Sequence, residues 1–267
     1  MVDTTAAEAY ERGLVPHVFA PWARLVLDEA ALAPGQRVLD MACGTGIAAR
    51  LAAAQLGSTG AVVGADIDEA MLAVARRVPL TAGAAPVDWQ RADALALPFA
   101  DAGFDAVLCF EGLQFFPDRA RALAEWRRVL RPGGRIIGTV WGPIEANPGY
   151  LALADGLRQF VSAEAARLPP LLLHDAAEIR TLFAQAGFGA IDIRARCLTL
   201  PVPSAEAFVQ WVASGGPTIR HRLSLLDAGN SAAFGRLVAE RLERFRKGEV
   251  LQLPFMRHVF TAVTADR

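Results

Sequence analysis

Arg37-Val38-Leu39-Asp40-Met41-Ala42-Cys43-Gly44-Thr45-Gly46 decides how the rest of the 267-residue chain is read. Val38 and Leu39 end a buried parallel strand, Asp40 closes it, and Gly44 and Gly46 make a tight turn. Ile47 through Leu56 runs on in Ala, Leu and Arg, which are good helix formers. Strand, glycine turn and helix in that order point backbone N–H groups and a helix N-terminus at a bound small molecule. Glycine is needed because a Cβ blocks positive φ and holds the ligand away. Gly-x-Gly alone is a weak signal, and the segments that follow strengthen it.

Downstream, Ala61 to Asp66 is a second short buried strand ending in an acid. Asp66 lies 20 positions past Gly46, where a carboxylate accepts bonds from a ribose diol. An ordinary helix cap is the alternative, although Asp68 is better placed to cap a helix over Glu69 to Val78. A third strand, Pro86 to Arg91, leads to Asp93, which can accept the exocyclic amine of an adenine or bond its own backbone in a turn. A fourth strand spans Phe104 to Phe110. Asp118 then caps a helix whose buried face is Leu123, Trp126 and Leu130. Arg131-Pro132-Gly133-Gly134 stops that helix, and Arg135 to Val140 is a fifth strand with Trp141 at its end. Strands alternating with helices, without internal repeats, predict an α/β fold with a doubly wound parallel sheet.

Upstream, residues 4–12 and 16–32 read as two short helices, the second ended by Pro34-Gly35. Their Tyr10, Phe19 and Trp22 either fold back over the glycine turn or fill the core. Beyond Trp141 the pattern is less regular. A helix within 147–170 breaks at Leu-Pro-Pro, and Asp175 with Glu178 suggests a capping box for a helix ending near Gly187. Ile191 to Cys197 alternates like a strand, and Ser204 caps a short helix. Ser214-Gly215-Gly216-Pro217 is a break, Ala232 to Lys247 a helix, and Val250 to Thr264 a last strand. The chain thus divides into a helical segment 1–34 over a ligand site, a core of 35–200 with 250–267, and a helical cap insertion, 201–249, to which 142–172 contributes. Trp141, Phe160, Phe208, Trp211 and Phe234 make the cap apolar enough for a flat or greasy small molecule.

Hydrophobic residues make up 53% of the chain, ample for a packed core, and the net charge of −1 argues against a nucleic-acid clamp. Cys43, Cys109 and Cys197 are isolated, show no metal-ligand spacing and fit a reducing cytoplasm. The N-terminus lacks the basic and apolar regions of a secretion signal. No uninterrupted apolar run reaches the roughly 18 residues of a membrane span. Composition leaves the oligomeric state, monomer or homodimer, open.

Val-Leu-Asp-Met-Ala-Cys-Gly-Thr-Gly, Gly-Ala-Asp-Ile-Asp-Glu-Ala-Met-Leu and Ala-Asp-Ala-Leu-Ala-Leu-Pro-Phe resemble the three signature blocks of class I S-adenosylmethionine-dependent methyltransferases. Cys-Phe-Glu-Gly-Leu-Gln-Phe-Phe-Pro-Asp with Leu-Arg-Pro-Gly-Gly-Arg is similar to the branch holding quinone-biosynthesis C-methyltransferases and natural-product small-molecule methyltransferases. The resemblance covers roughly Arg37 to Val140. It implies a seven-stranded sheet with an antiparallel last strand, S-adenosylmethionine as cofactor and S-adenosylhomocysteine as product. By position, Ala42, Gly44 and Gly46 would line the methionine end and Asp66 would hold the ribose. Ile67 and Met71 would lie against the adenine, and Asp93 would bond its amine beside Ala94. Phe110, Glu111 and Gln114 would sit near the sulfonium.

A rival reading stays open. Gly44-Thr45-Gly46-Ile47-Ala48-Ala49 also satisfies the nicotinamide-dinucleotide pattern in its alanine-ending form. Asp40 speaks against it, since an acid there sits badly beside a pyrophosphate but suits a cationic methionine moiety. A third possibility is a protein of the methyltransferase fold that binds the cofactor without methylating. Phe19, Trp22, Phe110 and Trp141 are the aromatic candidates for facing a sulfonium. His221, His17 and Glu111 are candidates for a base, with His174 and His258 behind them. The expected acceptor is a small aromatic, quinone-like or polyketide-like molecule.

Overall fold

Alternating apolar side chains along each inner strand divide between two helical layers, and that division builds the molecule. The computed structural model describes residues 2–215 and 217–264. Strands β1 (Arg37–Met41), β2 (Ala61–Asp66), β3 (Val87–Arg91), β4 (Phe104–Phe110) and β5 (Leu130–Trp141) pair in parallel, in the order β3-β2-β1-β4-β5. They are joined by β6 (Phe188–Val202), the two-residue β7 (Arg246–Lys247) and β8 (Val250–Thr264). β8 runs antiparallel between β5 and β6, and β7 pairs with its start. The expected seven-stranded, mostly parallel sheet with an antiparallel last strand is therefore present, with β7 as a small addition.

The helices are α1 (Thr5–Leu14), α2 (Ala20–Ala30), α3 (Ile47–Leu56), α4 (Glu69–Ala75), α5 (Arg119–Val129), α6 (Pro148–Phe160), α7 (Ala176–Gln185), α8 (Ala205–Ser214), α9 (Pro217–Ser224) and α10 (Ala228–Glu243). Val38, Ala106, Leu108 and Ile137 pack toward α2, α3 and α6, with Trp22, Leu27 and Ala52. Their neighbours Leu39, Val107, Cys109 and Ile136 pack toward α5 and α7, with Leu123, Trp126 and Phe183. A period of two on a sheet covered on both sides produces this split.

Several boundaries differ from those read in sequence. The two expected N-terminal helices form one nearly continuous rod, because a π-helical turn, Val15–Phe19, links α1 to α2. Ala20 N–H donates to the Val15 carbonyl in this wider turn, which absorbs Pro16 without a break. The rod ends at Ala31, whose φ of 47° is left-handed, before Pro34-Gly35 is reached. Asp227 caps α10, accepting from Asn230 N–H at 2.7 Å, so that helix starts at Ala228 and not at Ala232. Asp175 caps α7 alone; Glu178 pairs with Arg119 and completes no capping box. Met1, Gly216 and residues 265–267, included in the sequence-based segments, lie outside the described residues.

The connection between β6 and β8 carries α8, α9 and α10. α8 packs on α1, and α10 packs on α6. Helices from both ends of the sequence thus meet above the C-terminal ends of the parallel strands, the edge where open α/β sheets bind ligands.

Candidate functional site

The end of β1 turns on three residues with left-handed backbone, Ala42 (φ 57°), Gly44 (φ 55°) and Gly46 (φ 87°). Gly46 caps α3, and a Cβ there would lie 2.2 Å from the Trp89 ring. Glycine is required at that position by backbone and by packing together. Asp66 braces the turn from the end of β2. One carboxylate oxygen accepts from Gly44 N–H at 2.7 Å and the other from Asp68 N–H at 2.9 Å. Burial pushes its carboxyl above the usual range, against the pull of those backbone donors.

A cavity of about 520 Å³ opens over this edge. Asp66, Ile67, Met71, Asp93 and Ala94 line one half, and Leu14, Phe115, Tyr150, Val212 and Ile219 line the other. Ala42, Gly44, Phe19, Phe110, Glu111 and Trp141 also line it. Asp93 accepts from Leu95 N–H at 2.9 Å, so it is a turn carboxylate and a wall residue at once.

Glu111 follows β4 in a left-handed conformation (φ 62°), uncommon for a residue with a side chain. It is buried, and that burial raises its carboxyl, while Arg257 beside it opposes the rise. Arg257 Nε lies 3.2 Å from Glu111 Oε1, and both side chains are almost wholly enclosed. Gln114 Nε2 donates to Glu111 Oε2 at 3.2 Å. The guanidinium carbon stands over the rings of Trp141, Trp22 and Phe19 at 4.3, 4.9 and 5.3 Å. Behind the glycine turn a second, smaller cavity is lined by Asp40, Trp22, Thr139 and Arg257 among others. Asp40 accepts from Ala49 N–H at 2.8 Å, and burial pushes its carboxyl up to about 7.

Residues 39–138 match the model of a methyltransferase domain. Over 115 residues the chain is 46% identical to the 2-phytyl-1,4-naphtoquinone methyltransferase of Synechococcus elongatus, covering 43% of this chain and 49% of that protein. Over 187 residues it is 36% identical to the ubiquinone/menaquinone biosynthesis C-methyltransferase UbiE of Laribacter hongkongensis, covering 64% of this chain and 74% of the relative. The chain belongs to the class I S-adenosylmethionine-dependent methyltransferases.

It spans about half the length of the Synechococcus relative, and 52% of the Ralstonia pickettii UbiE that it also matches. Among solved structures, a Haemonchus contortus phosphoethanolamine N-methyltransferase 2 in complex with S-adenosyl-L-methionine shares the fold. Its TM-score is 0.62 at 21% identity, over 99% of this chain and 58% of that one. The [4+2]-cyclase SpnF also shares it, with a TM-score of 0.56 at 22% identity, over 93% and 82% of the two chains.

In this class I methyltransferase most sequence-predicted cofactor residues share the large cavity: Phe19, Ala42, Gly44, Asp66, Ile67, Met71, Asp93, Ala94, Phe110 and Glu111. Three do not line it. Gly46 faces Trp89, Gln114 sits behind Glu111, and Trp22 reaches only the smaller cavity. The histidine candidates are elsewhere. His17 is exposed and stacks on Trp211 with centroids 4.2 Å apart, and His221 is exposed on α9. His258 Nε2–H donates to the His174 carbonyl at 2.8 Å, and burial lowers its proton affinity.

The aromatic cap also differs from expectation. Phe208 and Phe234 are core residues, and of the five aromatics named only Trp141 lines the cavity. The half of the cavity away from Asp66 and Asp93 is instead walled by Leu14, Val212 and Ile219, with Tyr150 from α6. Arg257 is not among the sequence-predicted residues, yet the sequence holds a signal for it. It shares the buried face of β8 with Leu251, Leu253, Phe255 and Val259, where a lone charge is out of place. No helix among the described residues is long and apolar enough to cross a membrane.

Proposed function

We propose that the protein transfers the methyl group of S-adenosylmethionine to a ring carbon of a hydroquinone-like aromatic acceptor. One observation carries this reading. A single cavity joins two acid-bearing strand ends and a glycine turn to an apolar compartment, and Glu111 lines it with them. The names of the Synechococcus and Laribacter relatives support a quinone-like acceptor and a carbon as its reacting atom. Its three cysteines are free thiols, two of them buried, which suits a reducing cytoplasm.

The residues fit the cofactor. A Cβ at Gly44 would meet nothing nearer than the Tyr10 ring at 3.8 Å, so the turn leaves room for close approach. Asp66 would take the ribose hydroxyls, Asp93 the adenine amine, and Ile67 and Met71 the faces of the base. When bound, S-adenosylmethionine supplies a methyl group on a cationic sulfur, already strongly electrophilic. The chain's own work is placement, exclusion of water and control of one proton. Phe110 is the lining aromatic left to meet the cationic sulfur, since the Arg257 guanidinium already lies over the rings of Phe19 and Trp141. Leu14, Tyr150, Val212 and Ile219 hold an apolar acceptor in line, a positioning effect that can supply several kcal/mol, up to about 7–11. Glu111 accepts the acceptor's hydroxyl proton, which raises electron density on the ring carbon facing the methyl group. A carboxyl raised by burial is better matched to that task near neutral pH.

The deciding experiment is calorimetry with S-adenosylhomocysteine and with NAD, followed by turnover on a panel of naphthohydroquinones and benzohydroquinones. Binding of the first alone, with a ring-methylated product, is expected. Heat with NAD only would overturn the reading. Tight binding of S-adenosylhomocysteine without methylation of any acceptor would favour a non-methylating member of the fold.

A further inference from the structure

Asn147, just before α6, pins the start of that helix to β8. Its buried amide donates to the Pro143 carbonyl at 2.9 Å and to the Met256 carbonyl at 3.2 Å, and its Oδ1 accepts from Met256 N–H at 2.9 Å. Tyr150, in the first turn of α6, lines the large cavity and is 5% exposed. Its ring stands edge-on to Trp141 and Phe208, with centroids 4.8 and 5.7 Å away. Helix and ring are thus both held, and among the described residues the hydroxyl has no hydrogen-bond partner.

A buried tyrosine hydroxyl normally finds a partner. The side chains that share this wall, Leu14, Val212 and Ile219, are apolar and offer none. Burial holds the phenol above its usual range, with Arg257 opposing and Glu111 adding to the rise, so the group stays protonated and donates. An uncharged oxygen complements such a donor. A carboxylate or phosphate in its place would face Glu111 across the same cavity.

We propose that Tyr150 is a specificity-determining residue: its phenol donates a hydrogen bond to a second oxygen on the aromatic acceptor, distinct from the hydroxyl whose proton Glu111 accepts. The assignment rests on the hydroquinone reading given above and adds to it the residue that recognises the other oxygen. Held at two oxygens, the ring cannot turn in its own plane, and one carbon is presented to the methyl group. A phenol with a single oxygen would leave a donor buried and unpaired.

The test is anaerobic calorimetry on the full chain saturated with S-adenosylhomocysteine. The two titrants are naphthohydroquinone and α-naphthol, which lacks the second oxygen. Wild type is expected to prefer the first by about 10- to 100-fold, the range for a buried donor left unpaired. Tyr150→Phe keeps the ring and is expected to bring that ratio close to one, by weakening naphthohydroquinone alone. Thr218→Val removes another hydroxyl of the cavity wall and is expected to keep the wild-type ratio. A wild-type ratio near one with both phenols bound overturns the proposal, as does a ratio that persists in folded Tyr150→Phe. Should Tyr150→Phe not fold, Thr218→Val decides: a retained ratio supports the proposal, and a collapsed one overturns it. If wild type binds neither phenol, the acceptor reading itself fails and takes the role of Tyr150 with it.

Discussion

The two halves of the large cavity are built on different principles. The half holding Asp66, Ile67, Met71, Asp93 and Ala94 comes from the ends of β2 and β3, the loops just after them and the first turn of α4. Its polar atoms are backbone N–H groups and carboxylates fixed by the sheet, as in the bonds that Asp66 accepts from Gly44 and Asp68. The other half draws on α1, α6, α8 and the loop after β4, segments far apart in sequence. Its walls are aliphatic and aromatic, and their positions depend on how helices pack on one another. One half is specified by local geometry, which suits recognition of the proposed cofactor. The other is specified by tertiary packing and is free to vary with the acceptor.

Substitutions that act on one half only can break that distinction. The largest effect is expected at the junction, where Glu111→Gln removes the proposed proton acceptor and strands Arg257. Turnover is expected to fall by about 10²- to 10⁴-fold, measured under saturating ligands. The same variant is expected to lose about 3–5 kcal/mol of stability by urea denaturation, since the guanidinium is left buried without its partner. Next, Asp66→Ala removes both the proposed ribose ligand and the brace on Gly44. Cofactor affinity is expected to drop by about 100-fold in calorimetry, with the acceptor KM unchanged among molecules that still bind cofactor. Ile219→Trp is the mirror experiment. It should raise the acceptor KM by about tenfold through lost space and leave the cofactor Kd alone; a change in Kd would show that the halves are not separable.

The smallest effect concerns Asp40. Its carboxyl is raised from 3.8 to about 7, so between these values the native state holds a proton that the unfolded chain has released. Stability contributed by this group is present below pH 3.8 and is lost as pH rises toward 7. Asp40→Asn should therefore flatten the decline of the urea midpoint between pH 5 and pH 7.5 relative to wild type. An identical slope in both proteins would remove Asp40 from the account.

The same contrast explains what the amino-acid sequence discloses. Gly44, Asp66 and Asp93 are legible because each sits a fixed distance from a short apolar strand, and strands of a parallel sheet end at one edge. The capping roles of Asp118 and Ser204 are legible for the same local reason. The acceptor walls are not. Phe208 and Phe234 look like cavity aromatics in the insertion, but packing against Gly149 and Gly156 of α6 places them in the core. No local pattern distinguishes an aromatic that faces a neighbouring helix from one that faces a ligand. The histidines fail likewise, since only tertiary position separates His17 on Trp211 from a base beside substrate. Arg257 lies between these cases. Its odd place in an apolar alternation is visible, but its partner Glu111 sits across the sheet from it.

The insertion of β8 between β5 and β6 has a consequence for biogenesis. The ribosome delivers β5 and β6 well before β8, yet those two never pair with each other, and β5 waits with an open edge until residues 250–264 emerge. A nascent chain thus carries two exposed hydrogen-bonding margins and a Glu111 with no cation beside it. Slow closure of this kind invites chaperone engagement, and the strand that arrives after β5 and β6 is the one that makes the ligand chamber electrically whole.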